Sequence, residues 1–506
     1  MKKIIFAKMN NLQKVIITFY FSFWVTGSFA QSELPLNNTI SLSYSKRMLA
    51  DTNFHSSIRP FIFNYPKDNM ISTCDSGANI HLSSTPILTV LPIIAHTQKP
   101  SIISTYGLHL TGNILKKFSL GIDLYGGYFS LSNNNLLKVD SLSTLPHFTN
   151  HFNLNEKSIR FFDINGYLNY SPNHIFTFSI GKGKQFWGNG YRSLFLSDNT
   201  NPYPYLKATV SAWKIKYVWL VSFLQGRFFY DTVTTHWQSK YTASHFLSWH
   251  LTKWFNLNLF ESVVWRGRDT AGIRNLDVNY LNPIIFYRPV EFSLGSPDNV
   301  IMGGGFNINI LKKITIYNQF IFDEFKLAEI KSGNGWWGNK YGWQTGIKFF
   351  WKKLFFRSEY NYVRPFTYSH KTSLEAYGAW RQPLAHPLGA NFDEYLLTVI
   401  YKKGKHMIRL FTSNSRHGIS SDFNAGDNIF RPYNDNNNEY GNTMLQGDIS
   451  KVYIASLSYG YDFSDQNFFQ FISGIQLTKT NKKTGLFFFV GIKTNFMNYF
   501  MEDYLK

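Results

Sequence analysis

From about Ile87 onward, apolar and polar positions alternate over segments of roughly ten to thirteen residues. Phe118, Leu120, Ile122 and Leu124 alternate with Ser119, Gly121 and Asp123. Phe356, Tyr360 and Tyr362 share one phase, and Arg357, Glu359 and Asn361 the other. Tyr453, Ala455, Leu457, Tyr459, Tyr461 and Phe463 oppose Ser456, Ser458, Gly460 and Asp462. Near the end, Leu486, Phe488, Val490, Ile492 and Phe496 oppose Gly485, Gly491, Lys493 and Asn495. Period two places the two sets on opposite faces of a strand. Ionic residues set against aromatics suit a wall with lipid outside. Arg or Lys facing lipid at mid-bilayer costs about 2–4 kcal/mol, so Arg357 and Glu359 are expected to face a lumen.

The joints between these segments carry a second pattern. Very short ones read Leu115-Lys116-Lys117-Phe118, Thr252-Lys253-Trp254, Leu311-Lys312-Lys313-Ile314, Trp351-Lys352-Lys353-Leu354 and Lys402-Lys403-Gly404-Lys405. Long polar ones run from Leu131 to Lys157, Gly267 to Val300, Thr367 to Asn391 and Asn414 to Ile449. Outer-membrane barrels show this asymmetry, with short periplasmic turns and long extracellular loops. From Ile87 to Met497 there is room for about 18 strands, an even number that puts both ends on the periplasmic side. The expected fold is all-β: a transmembrane antiparallel β-barrel of about 18 strands with a short N-terminal periplasmic cap or plug segment. This phase puts the Lys-pair turns in the periplasm. It puts Trp187, Tyr191 and the loop from Gly333 to Gly338 on or near the exposed end. Phe496, Tyr499 and Phe500 provide aromatic closure, ahead of a tail at 501–506.

The first thirty residues read as a signal peptide. Lys2, Lys3, Lys8 and Lys14 precede a short apolar run from Val15 to Thr26, and Ser28-Phe29-Ala30 supplies a cleavage site before Gln31. That run is too short for a helical span, which needs about 20 residues. Residues 31–86 are expected to form the cap or plug and 87–500 the barrel. Within the cap, Asn38 to Leu49 reads as a short helix and Ser57 to Ile62 as a pinned extended segment. Aromatics make up 18% of the chain, as interfacial girdles require. The single cysteine, Cys74, cannot form an internal disulfide. The formal net charge of +20 accompanies no nucleic-acid-binding motif, and an exported chain meets lipopolysaccharide phosphates and anionic glycans instead.

The densest motif runs from Gly181 to Asn199: Trp187-Gly188-Asn189-Gly190-Tyr191-Arg192, then Ser193-Leu194-Phe195-Leu196-Ser197-Asp198-Asn199. Further signatures are Asn279 to Pro283 leading to Arg288-Pro289-Val290-Glu291, then Gly295 to Asn299. Others are Asp323-Glu324, Trp337-Gly338-Asn339, Arg364-Pro365-Phe366 and Gln382 to Asn391. This set resembles the Wzi-type capsule-assembly family of outer-membrane barrels, especially its RemB-like, gliding-motility-associated branch. The resemblance covers most of the chain after about Ser57 and is weakest from Arg416 to Ile449. It implies an 18-stranded, non-catalytic barrel that holds exported polysaccharide at the cell surface, or alternatively a component of a gliding or adhesion apparatus. A plain diffusion porin is a third reading.

For polysaccharide, aromatic faces stack on sugar rings while charged and amide groups bond hydroxyls and carboxylates. The aromatic candidates are Trp187, Tyr191, Trp336 and Trp337. The polar candidates are Arg192, Asp198, Asn199, Arg288, Glu291, Arg364 and His386. The same residues also fit ion pairs and loop clamps that keep a pore plugged. Expected partners are surface polysaccharide, outer-membrane lipid and lipopolysaccharide, with motility or export proteins as further partners. Enzyme chemistry finds little support. Asp323 and Glu324 are adjacent, so on a strand they point apart and cannot flank one glycosidic bond. His370 and His386 lie far apart for a zinc pair, even with Asp393 and Glu394 nearby. There is no Gly-x-Ser-x-Gly elbow, and no metal or cofactor is expected. Gly303-Gly304-Gly305 reads as a bulge or a close approach at a strand start.

Overall fold

The computed structural model describes residues 31–34, 36–38, 41, 44, 54–64, 73–75, 80–95, 100–115, 117–130, 147–148, 151–155, 158–229, 235–269, 272–274, 276–284, 298–324, 326–435, 438–463, 469–496 and 498. The expected signal segment, the tail at 501–506 and most of the helix expected from Asn38 to Leu49 lie outside them.

Eighteen long antiparallel strands close into one barrel. They are β1 (Ile80–Ala95), β2 (Ser101–Ile114), β3 (Phe118–Ser130), β4 (Ser158–Tyr170), β5 (Phe176–Gly183) and β6 (Tyr203–Ala212). Next come β7 (Ile215–Phe229), β8 (Thr235–His250), β9 (Phe255–Arg266), β10 (Asn299–Ile310), β11 (Ile314–Phe322) and β12 (Tyr341–Trp351). The last six are β13 (Leu354–Val363), β14 (Phe392–Lys403), β15 (His406–Ile419), β16 (Asp448–Asp462), β17 (Phe469–Thr480) and β18 (Thr484–Thr494). β18 pairs with β1, Phe487 opposite Ala95 and Lys493 opposite Thr89. Two short strands, Thr73–Asp75 and His151–Asn155, lie against β1 and β4 at opposite rims.

The turns behave as the joints predict. Residues 115–117, 213–214, 251–254, 311–313, 352–353 and 404–405 share one rim, where β1 starts and β18 ends. Tight hairpins need left-handed residues, and Leu115, Trp213, Leu311, Lys312, Lys352 and Gly404 have φ between 51° and 58°. The long connections, 131–157, 184–202, 267–298, 323–340, 364–391 and 420–447, all leave the other rim. Alternation also sets the faces correctly. Glu359 and Asn361 are buried inside, while Phe488, Val490 and Leu457 are exposed outside. β1 begins at Ile80, earlier than the alternation shows, because Ser83, Ser84 and Pro86 blur the apolar phase.

The core lies inside the barrel. Lumen-facing Leu220, Phe246, Phe260, Ile301, Ile321 and Phe392 pack with Trp187, Leu194, Phe195, Leu196, Tyr377 and Leu384 from two inward-folded connections. A second interior cluster joins Ile87, Leu91, Phe129, Phe161, Phe487 and Phe489 to Phe148 and Phe496. The glycine run in β10 contains no bulge, since its pairing with β9 and β11 is continuous. It is a close approach: a Cβ on Gly303 would sit 2.5 Å from the Phe195 ring.

Candidate functional site

The segment 184–202 turns into the lumen instead of standing above the rim. Gly188 (φ 142°) and Gly190 permit this path. A Cβ on Gly188 would lie 2.3 Å from Gln319 Nε2, and one on Gly190 would lie 2.6 Å from Glu359 Oε2. The same two side chains hold the segment. Glu359 accepts from the backbone N–H of Tyr191 at 2.7 Å, the N–H of Arg192 at 3.1 Å and the Tyr317 hydroxyl at 2.8 Å. Gln319 Oε1 accepts from the N–H of Leu194 at 2.8 Å. A buried carboxylate needs several donors to offset its lost hydration, and Glu359 has them. The N-terminal segment joins from below: Ile58 pairs with Trp187 and Arg59 with Phe186. The Arg59 guanidinium lies 3.7 Å over the Phe186 ring and donates to the Gly190 carbonyl at 3.1 Å. Burial pushes it down to about 10, against the attraction of Asp198.

Several candidate residues therefore do not occupy the exposed end. Trp187, Tyr191, Arg192, Asp198 and His386 are all buried. The expectation that Trp187 and Tyr191 lie open on or near the exposed end is overturned, since both are enclosed. Trp187 packs 5.3 Å from Phe246, and Tyr191 packs 5.3 Å from Phe411, which removes their apolar area from water. Arg192 and His386 converge on Glu394 Oε2, at 3.5 and 2.8 Å. Burial holds the His386 imidazole below its usual range despite Glu394. Asp198 accepts from Asn498 at 2.9 Å, and Asn199 donates to the Pro383 carbonyl at 3.0 Å. His370 pairs with Glu375 at 3.1 Å, whereas His386 pairs with Glu394, so the two histidines engage different carboxylates. Arg288 and Glu291 lie outside the described residues.

A second group does lie at the rim of long connections. Three of them, 323–340, 364–391 and 420–447, meet there. A short helix, α1 (Leu327–Ser332), ends at left-handed Gly333 (φ 65°). The chain then bonds to its neighbour: Trp337 N–H to the Glu439 carbonyl at 3.1 Å, and Gly441 N–H to the Asn334 carbonyl at 2.9 Å. Half-buried Trp336 and Trp337 have ring centroids 5.9 Å apart, and Trp337 lies 4.6 Å from Tyr433. Lys326 stands 4.4 Å over Trp336, and buried Lys340 stands 4.3 Å over Tyr433. Arg364 lies 5.4 Å over Tyr341 and donates to the Asn442 carbonyl at 3.3 Å. The cluster presents aromatic faces beside cations and amides, the chemistry that recognises sugar rings bearing hydroxyl or carboxylate groups. Trp336, Trp337 and Arg364 were visible as candidates in the sequence. Tyr433, Lys326 and Asn442 were not, since each is an ordinary loop residue until the connections meet.

No family model and no curated protein matches the chain. Among solved structures it is similar to Wzi from Escherichia coli, an outer-membrane protein involved in group 1 capsule assembly and described as a carbohydrate-binding β-barrel. The identity is 13%, the match covers 82% of this chain and 85% of that one, and the TM-score is 0.51. It is also similar to two Pseudomonas aeruginosa barrels. OccK8 (OprE) has 9% identity, 81% and 97% coverage and a TM-score of 0.44. OpdK, solved with vanillate, has 7% identity, 82% and 98% coverage and a TM-score of 0.46. At these identities the likeness is one of fold. The chain has the fold of an 18-stranded outer-membrane β-barrel.

Proposed function

We propose that this protein holds surface polysaccharide at the outer membrane without catalysis, as a member of the Wzi-type group. The observation that carries this reading is the Trp336–Trp337–Tyr433 cluster with its cations, built where three long connections meet. Repeating polymers suit such a site, because weak contacts repeated along the chain raise the effective concentration of each. The interior supports retention over bulk diffusion, since two inward-folded connections and the N-terminal segment pack into the lumen between β6 and β14. The excess positive charge suits an anionic polymer and the lipopolysaccharide around it.

The test is retention of purified protein on immobilised capsular polysaccharide from its own host. The double substitution Trp336→Ala, Trp337→Ala is expected to cut retention at least about tenfold while leaving the barrel folded. Wild-type protein that washes straight through would end the proposal. Porin-level conductance of the wild type in planar bilayers would favour a channel instead.

A further inference from the structure

Inside the lumen, three adjacent strands present a row of donors at one level. Lys348 on β12 stands directly opposite Arg357 on β13, and Arg357 directly opposite Thr398 on β14. Arg357 shares the phase of lumen-facing Glu359, so its two cross-strand partners face the lumen as well. Like charges directly opposite one another repel, so the Lys348–Arg357 pairing is unfavourable by itself. Further donors arrive on segments folded into the lumen. Lys348 Nζ donates to Asn189 Oδ1 at 3.2 Å, and the Ser56 hydroxyl donates to the same oxygen at 2.8 Å. Arg59, on the N-terminal segment, is close enough for its charge to act on both Lys348 and Arg357.

The charges of this group do not balance. Arg59 and Lys348 are only 6% and 8% exposed, and Arg357 is half-buried. None of the three forms an ion pair with a carboxylate among the described residues. The acid that acts on Lys348 is Glu359, whose oxygens already accept from the N–H groups of Tyr191 and Arg192, the Tyr317 hydroxyl and the Asn361 amide. Asp198 attracts Arg59 but is not among the charges that act on Lys348. Aromatic faces take up part of the charge. The Arg357 guanidinium lies 5.9 Å from the Tyr191 ring and 5.3 Å from that of Phe355, and Lys348 Nζ lies 5.3 Å from that of Tyr317. The N–H groups are still not met. Arg59 Nε, Arg357 Nε, Asn189 Nδ2 and the Thr398 hydroxyl are all buried with no hydrogen-bond partner. Buried donors and unpaired buried cations are both costly. A water molecule satisfies an N–H group but does not offset the charge.

We propose that Arg59, Lys348 and Arg357, with the Asn189 amide and the Thr398 hydroxyl, form an internal binding site for a small inorganic anion of the phosphate or chloride class. Each of these groups supplies a donor, and an anion is the ligand that meets the donors and the charge together. The guanidinium fork suits an oxyanion, whereas chloride makes no demand of shape. The bound anion accepts from the N-terminal segment, the inward connection 184–202 and the wall at once, so it fastens the plug to the barrel. The site is separate from the tryptophan cluster at the rim of long connections. Arg357 is three residues from the start of β13 at the rim of tight turns.

The experiment uses full-length protein in detergent, exchanged into a buffer whose only small anion is gluconate. The temperature at which the folded electrophoretic form is lost is followed as phosphate or chloride replaces gluconate at constant ionic strength. A saturable rise is expected, and the anion that saturates at the lower concentration names the ligand. Arg357→Gln and Lys348→Gln are each expected to raise the half-saturating concentration at least about tenfold. In gluconate alone each variant should melt no lower than wild type, because it removes an uncompensated buried charge. A residue needed only for packing would melt lower there. Lys353→Gln, on an exposed turn, should leave the response unchanged. No saturable rise in folded wild-type protein, the same half-saturation in wild type and both cation variants, or cation variants that melt below wild type in gluconate would each overturn the proposal.

Discussion

Glu359 binds the interior together at a single carboxylate. It accepts from two consecutive backbone N–H groups of the inward segment and from Tyr317, with Asn361 donating at 3.0 Å. Glu359→Ala leaves those buried donors without an acceptor, a change that costs about 3–5 kcal/mol. Its expected outcome is a looser plug, read as a lowered temperature for loss of the folded electrophoretic form and as new conductance in planar bilayers. His55 offers a second residue-scale prediction. Its Nδ1 lies 2.8 Å from the Ser248 hydroxyl and its ring 4.5 Å from that of His250. Burial, with His250 and Lys216 nearby, lowers its pKa to about 3 from an ordinary 6.5. Between those values the released segment binds the proton that the docked one refuses. Docking is therefore fully stabilised above about pH 6.5 and weakens as pH falls below it, by at most about 1.4 kcal/mol per pH unit. The protection factors of residues 54–61, that is their hydrogen-exchange rates corrected for the intrinsic pH dependence of amide exchange, should fall from pH 7.5 to pH 5. His55→Gln should flatten that dependence, and an unchanged slope would refute the assignment.

Strands and turns were the readable elements. The sequence phase of Phe356 to Tyr362 places Glu359 inward and Tyr360 outward, and the barrel does the same. Local chemistry is enough there, because period two and a lipid solvent leave one choice of face. Connections were less readable. An aromatic, glycine-rich stretch such as Trp187 to Tyr191 looks alike whether it stands above a rim or folds beneath it. Its direction depends on Gln319 and Glu359, more than a hundred residues away. The glycine run in β10 shows the same limit, since nothing local says that Phe195 needs the space. Gly303→Val should overpack that contact and destabilise the barrel by about 1–3 kcal/mol, measured as the shift in its thermal unfolding transition.

At the scale of the whole molecule, the interior is assembled from segments that meet only after closure. The N-terminal segment reaches Trp187, the connection after β13 reaches Phe195 through the Tyr377 hydroxyl, and Asn498 reaches Asp198. Replacing residues 186–197 with a short Gly-Ser linker should open the lumen and raise single-channel conductance well above that of the wild type. Conductance that stays at the wild-type level in the folded variant would show that this segment is not what fills the lumen. The sequence alone determined the closed antiparallel barrel, its even strand number, the rim that carries the tight turns and the face on which Glu359 stands. Those follow from residue period and turn length, which are local properties. Only the tertiary structure decided that Trp187, Tyr191 and His386 are enclosed in the interior, and that Trp336 and Trp337 meet Tyr433. Each of these depends on contacts between positions far apart in the chain, and alternation specifies a face without specifying what packs against it.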